Sequence, residues 1–174
     1  MALIKEVRGK KPAIGQNVYL AETATIIGDV QIGDNSSIWF GVVIRGDVNS
    51  IKIGNNTNIQ DNTVIHATYE KYPAVIGNNV SVGHSAIIHA CTIKDNVLVG
   101  MGAIIMDNAT VEEGAIIAAG AVVTPGTVVE KNSLYAGVPA KKIKNLDEKT
   151  IEASVKATAQ RYQMYTQWYN TKKD

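Results

Sequence analysis

The sequence predicts an all-β domain, a triangular prism of parallel strands, followed by one C-terminal α-helix. Two observations carry that prediction: an aliphatic residue recurs every six positions through most of the chain, and the last stretch switches to helical spacing. Composition agrees, since aromatics are only 6% of the residues while Ile, Val, Gly, Ala and Asn crowd positions 25–129. A period of six fits neither the 3.6-residue repeat of a helix nor the alternation of an isolated strand. It reads as a short strand plus a turn, three to a coil, with the aliphatic filling an interior corner. Gly and Asn then supply the turn geometry.

The repeat starts at Ile26, Ile32, Ile38 and Ile44, and after a three-residue slip resumes at Ile53, Ile59 and Ile65. A loop over 67–73 intervenes before Ile76, Val82 and Ile88. One residue is then missing, and the run continues through Ile93, Val99, Ile105, Val111, Ile117, Val123 and Val129. These seventeen hexads make nearly six coils, hence a rod roughly 27 Å tall at about 4.8 Å per coil. The segment YAGVPAKKIK at 135–144 carries a Gly and a Pro that end the coils, and its Lys141, Lys142 and Lys144 read as solvated surface. Beyond it, Asp147 suits a helix N-cap with Glu148 in the first turn. Ile151, Val155, Thr158, Tyr162, Tyr165 and Tyr169 form one stripe that packs along the prism. The whole of 1–174 is expected to be a single domain, with the β-helix over about 12–134 and the helix over about 146–171.

Charge and cysteine content narrow the function. Seventeen basic against 16 acidic side chains give a net charge of +1, with no basic block, so a phosphate-neutralising nucleic-acid binder is not expected. No apolar run is long enough for a membrane span, and no signal-peptide pattern opens the chain. The single Cys91 cannot form an internal disulfide, fits a reducing compartment, and reads as a small core residue. A cytoplasmic location is the expectation.

The chain has three histidines, all between positions 66 and 89. His66 follows Ile65 and His89 follows Ile88, three hexads later, so these two imidazoles stack on one edge of the prism, one coil apart. His84 comes two residues after Val82, one face away. A rigid prism cannot bring it to the other two within one chain, but a threefold-symmetric trimer can. Three neutral imidazoles are a ligand set for Zn²⁺ that leaves a fourth position to water. Each histidine taken alone reads equally as a polar surface residue. By the same register Arg45 stacks below His66 and Asp61 below His84. An Arg45–Asp61 pair between subunits is therefore expected, with Asp47 close enough to share the guanidinium. Gln60, one coil below the metal, either reaches the metal's water or is a surface amide.

At these residues a resemblance is plain. The runs IRGD at 44–47, NIQDNTVIH at 58–66 and VGHSAIIHA at 82–90 resemble the γ-class carbonic anhydrases, and the hexapeptide pattern resembles the left-handed β-helix family. The likeness extends over the coils, the GVPAK exit and the C-terminal helix. It implies metal ligands at His66, His84 and His89, and interface ion-pair residues at Arg45, Asp47 and Asp61. It also implies a water-orienting Gln60 supported by Asn58, and a homotrimer that binds Zn²⁺, with Fe²⁺ or Co²⁺ as possible substitutes. The implied reaction is reversible hydration of CO₂ to bicarbonate by a metal-bound hydroxide at the trimer interface. Tyr162 is the nearest match for the family's C-terminal active-site tyrosine, although helical packing accounts for it as well.

The sequence departs from the family in its proton carriers. Val48 stands where some members have a shuttle glutamate, and the loop HATYEKYP at 66–73 lacks an acidic extension, leaving Glu70 and tyrosines. Two other readings follow from the repeat. One is an acyltransferase that uses CoA and a single histidine base, which leaves the His66/His89 stack without a purpose. The other is a metal-binding scaffold or accessory protein in which the metal mainly stabilises the trimer.

Overall fold

A computed structural model describes residues 1–169 and winds them into a left-handed parallel β-helix with one helical segment packed on its side. Parallel pairing stacks each coil on the one before, so the prism has three faces. On the first, Thr25, Val43, Val64, Ile87, Ile104 and Val122 lie in register. On the second, Ile14, Ile32, Ile53, Ile76, Ile93, Val111 and Val129 do so. The third runs from Leu20 through Ile38, Ile59, Val82, Val99 and Ile117 to Tyr135. Strands Thr25–Ile32 and Val43–Ile53 turn a corner and serve the first two faces together.

The interior is the column of hexad aliphatics. Ile26, Ile38, Ile44, Ile59, Ile65, Ile88, Ile105 and Ile117 are all fully buried. The position three residues after most of the aliphatics takes a left-handed conformation, which explains why Asn recurs there: Asn35, Asn56, Asn79, Asn96 and Asn108 all have φ between 54° and 57°. Glycines directly after the aliphatic serve a different purpose. A Cβ on Gly100 would lie 2.4 Å from the Ala119 nitrogen of the next coil, so the coils stack at this spacing only without a side chain there. Along one corner Asp34, Asn55, Asn78 and Asp95 each accept the backbone N–H of a residue one coil below, at 2.7–2.8 Å.

The prism is longer than the nearly six coils expected. Its third face has seven parallel strands, because Ile14 and Leu20 extend the six-residue spacing backwards and Tyr135 extends it forwards. Those terminal positions are half-exposed or aromatic, so the aliphatic pattern fades there before the coils do. The exit is also more ordered than a Gly-Pro break. Lys141–Asn145 returns antiparallel on Ser133–Ala136 and closes the last coil, with exposed lysines along its edge, a composition that discourages further strand pairing.

Asp147 caps the helix, its carboxylate accepting the Thr150 N–H at 2.7 Å. The helix is not uniform: Glu148–Ile151 is α-helical, Glu152–Lys156 is a π-turn, and Ala157–Tyr169 is α-helical again. Of the expected stripe Val155 is buried, and Ala159, four residues on, is buried where the half-covered Thr158 was expected. Positions 170–171 of the expected helix lie outside the described residues. The second half docks on a small cluster of Tyr19, Ala21 and Trp39, to which Tyr162 and Tyr165 add.

Candidate metal centre

The first face of the prism builds most of the site. Along its strands the side chains alternate, so the residues flanking each buried Ile44, Ile65 and Ile88 point outward. Arg45 pairs with His66, and His66 with His89, in adjacent strands, as the register requires. The His66 Nδ1 and the His89 Nε2 lie 3.3 Å apart. Each ring's other nitrogen faces a carboxylate: His66 Nε2 is 3.1 Å from Asp47 Oδ1, and His89 Nδ1 is 2.6 Å from Asp107 Oδ1. Arg45 Nη1 donates to Asp47 Oδ2 at 2.6 Å.

His84 lies on the third face. Its Nδ1 is 2.7 Å from Asp61 Oδ2, and its Nε2 is 3.4 Å from the Tyr162 hydroxyl. The C-terminal helix therefore brings Tyr162 beside His84 while packing its ring edge-on to Trp39 at 5.4 Å between centroids. Among the described residues no three metal-ligating side chains of one chain come together. Arg45, Asp47, His66 and His89 form one group, and Asp61, His84 and Tyr162 form another. Within the chain Arg45 is paired with Asp47 and Asp61 with His84.

Gln60 is buried at the base of the third-face group and belongs to a hydrogen-bonded row. Its Nε2 donates to Asn58 Oδ1 at 3.0 Å, and Asn58 Nδ2 donates to Ser81 Oγ at 2.8 Å. One of the two Nε2 hydrogens is thus used, and the Gln60 carbonyl oxygen is left as an acceptor.

The protonation of these groups follows their surroundings. Burial, aided by the Arg45 charge, pushes the His66 imidazole below its ordinary value despite Asp47, so it is neutral at pH 7. Burial opposes ionisation of Asp47, but hydrogen bonds from Arg45 and His66 outweigh it and hold the carboxyl below the usual range. The Thr68 hydroxyl, then His89, do the same for Asp107. The Tyr162 hydroxyl is pushed up to about 12, chiefly by burial and then by Asp61.

Those assignments test whether the residues fit a metal. A carboxylate only accepts, so Asp47 takes the single N–H of the neutral His66 ring and Asp107 takes the Nδ1–H of His89. The His66 Nδ1 that faces His89 Nε2 across 3.3 Å then carries a lone pair, and with His89 in its Nδ1–H tautomer both nitrogens would point as lone-pair donors at a cation between them. Two imidazole nitrogens on a tetrahedral ion at about 2.0–2.1 Å are separated by roughly 3.3 Å. The pair fits a shared divalent metal in both chemistry and spacing. His84 gives its Nδ1–H to Asp61, and its Nε2, which faces the Tyr162 hydroxyl at 3.4 Å, would serve a metal once that contact is given up.

Asp107 and Thr68 were not found by reading the sequence. Strict hexad register places Met106, not Asp107, over His89. The residue missing after Ile88 changes the offset between successive coils, so that Ile88 pairs with Ile105 whereas Ala90 accepts the N–H of Asn108. The one-residue shift carries Asp107 over His89. The shortened hexad itself was the signal that could have located it.

The bacterial transferase hexapeptide (six repeats) family model matches residues 11–46 and 90–125. The "Probable carbonic anhydrase" of Methanocaldococcus jannaschii is 52% identical over 149 residues, covering 86% of this chain and 92% of that protein. Gamma carbonic anhydrase 2, mitochondrial, of Arabidopsis thaliana is 43% identical over 153 residues and 85% of this chain, which spans 55% of that longer protein. The crystal structure of a hexapeptide transferase family protein from Anaplasma phagocytophilum superposes with a TM-score of 0.91 at 44% identity, covering 96% of this chain and 98% of that one. With 52% identity to a carbonic anhydrase relative, over 86% of this chain and 92% of that protein, the chain belongs to the γ-class carbonic anhydrase-like family of hexapeptide-repeat proteins.

Proposed function

We propose that three copies of this chain assemble with His84 of each beside His66 and His89 of the next, forming a shared divalent-metal site that hydrates CO₂ reversibly to bicarbonate. The facing nitrogens of His66 and His89, 3.3 Å apart with no third metal-ligating side chain beside them among the described residues, carry this reading. The surface around them supports it. Val43, Val64 and Ile87 point outward two residues before Arg45, His66 and His89, and Val64 and Ile87 are each 40% exposed. An apolar ladder beside polar ligands is the composition of an interface between subunits. In that trimer Asp61 approaches Arg45 of the neighbour, and Asp47 shares the guanidinium.

Zn²⁺, or Fe²⁺ or Co²⁺, held there supplies the Lewis acidity that makes water nucleophilic near neutral pH. The protein's own groups do the rest. The three imidazoles bind as neutral donors, oriented by Asp47, Asp61 and Asp107. Gln60, fixed through Asn58 and Ser81, accepts a hydrogen bond from the reacting water with its carbonyl oxygen and so aims the water's lone pair at CO₂. The Tyr162 hydroxyl, with its pKa near 12, stays protonated and serves as a hydrogen-bond donor, not as a carrier of the product proton. With Val48 and the short 67–73 loop beside the site, protons leave to buffer directly, and turnover follows buffer concentration.

The test is CO₂ hydration by stopped flow on anaerobically purified protein reconstituted with Zn²⁺ or Fe²⁺, beside His84→Ala. Activity in the wild type that is lost in the variant supports the reading. A metal-loaded trimer with no activity contradicts the assignment of CO₂. The family model and the Anaplasma protein both bear the transferase name, so acetyl-CoA binding is the companion assay, and saturable affinity for it favours acyl transfer.

A further inference from the structure

Three irregularities interrupt the repeat, and all three fall on one corner of the prism: the slip after Ile44, the loop after Ile65 and the missing residue after Ile88. They converge in one hydrogen-bonded chain. Asn49, in the slip, donates from Nδ2 to the Thr68 carbonyl at 3.1 Å. Thr68, in the loop, donates its hydroxyl to Asp107 Oδ2. Asp107, brought into line by the shortened hexad, receives His89 Nδ1–H on its other oxygen at 2.6 Å. Both Asp107 oxygens are thus engaged, one in holding the carboxylate and the other in holding the ring.

From this chain we infer that Asp107, clamped by Thr68, is the positioning residue of His89: it fixes the Nδ1–H tautomer and thereby presents Nε2 to the metal. The inference rests on the metal-centre reading for its purpose, though the tautomer itself is independent of it. A metal-binding histidine whose second nitrogen is held by a carboxylate is oriented and made a stronger donor. Without Asp107 the ring rotates and exchanges tautomers, and binding has to select one arrangement among several. The interruptions of an otherwise regular prism then have a common reason, because regular coils would place Met106 there instead.

The experiment compares wild type with Asp107→Ala, Thr68→Val, Thr68→Ser and His89→Ala. The readouts are ¹⁵N–¹H NMR of the His89 ring in metal-free protein and Zn²⁺ affinity by competition with a chromogenic chelator. We expect the Nδ1–H tautomer in wild type and a mixture in Asp107→Ala, with Zn²⁺ affinity lowered about 10–100-fold. Thr68→Val should weaken binding less, and Thr68→Ser should restore it. An Nε2–H tautomer in wild type, or Asp107→Ala affinity within about twofold of wild type, overturns the inference. If Asp107→Ala does not fold, Thr68→Val against Thr68→Ser decides. Equal Zn²⁺ binding by wild type and His89→Ala instead overturns the metal-centre reading, and the NMR result still judges the contact.

Discussion

At the scale of single residues, hydrogen bonds orient the candidate ligands within one chain. Three carboxylates each hold one nitrogen of one histidine, and an amide row holds Gln60 with its oxygen free. Gln60→Ala should therefore lower kcat about 10–100-fold with little change in metal content, measured by stopped flow alongside metal analysis. Tyr162→Phe should leave kcat near wild type, since a hydroxyl with its pKa near 12 does not relay protons at neutral pH. A buffer-dependent fall in kcat for that variant would show that Tyr162 carries the proton after all. The His66 imidazole titrates below its ordinary 6.5, so the unfolded chain binds the proton more tightly than the folded one. Its contribution to stability is complete above pH 6.5 and is lost as pH falls through the lower folded value. Metal-free wild type should lose stability across that window in urea titrations, and His66→Ala should lose less of it.

At the scale of elements, stability resides in the aliphatic column and precision in its interruptions. Ile88 is fully buried directly before His89, and Ile88→Ala should cost about 2–5 kcal/mol in chemical denaturation. Sequence reading located this column well, because one buried corner per six residues is a strong signal. It also stacked His66 on His89 and Arg45 on His66, since those relations lie inside unbroken coils. It did not reach Asp107 or Thr68, whose positions depend on how a missing residue and an inserted loop rejoin the prism. On the helix the expected Val155, Tyr162 and Tyr165 do pack on the prism, and Thr158 alone among the middle of the stripe gives way to Ala159, which is also one turn from Val155. Local periodicity predicts what repeats, and the chemistry here gathers where the period breaks.

At the scale of the whole molecule, one chain holds two separate histidine groups, which the proposed trimer would join into one site. His66 and His89 with their carboxylates lie on the first face, and His84 with Asp61 and Tyr162 on the third. The outward Val64 and Ile87 lie beside the first group. Ile87→Lys should leave the coils intact by circular dichroism while dissociating the trimer in analytical ultracentrifugation and abolishing metal retention. A folded variant that keeps both trimer and metal would place the interface elsewhere. None of the described helices is long and apolar enough to cross a membrane.

Subunit complementation tests that sharing most directly. His84→Ala and His66→Ala proteins are each expected to be inactive and to lack metal, because every site in each homotrimer has lost a ligand. Unfolded together and refolded as a one-to-one mixture, they should regain metal and CO₂ hydration to roughly a quarter of wild type, the share of interfaces that random assembly leaves intact. Mixed trimers that form and yet recover neither metal nor activity would contradict a site built from two subunits.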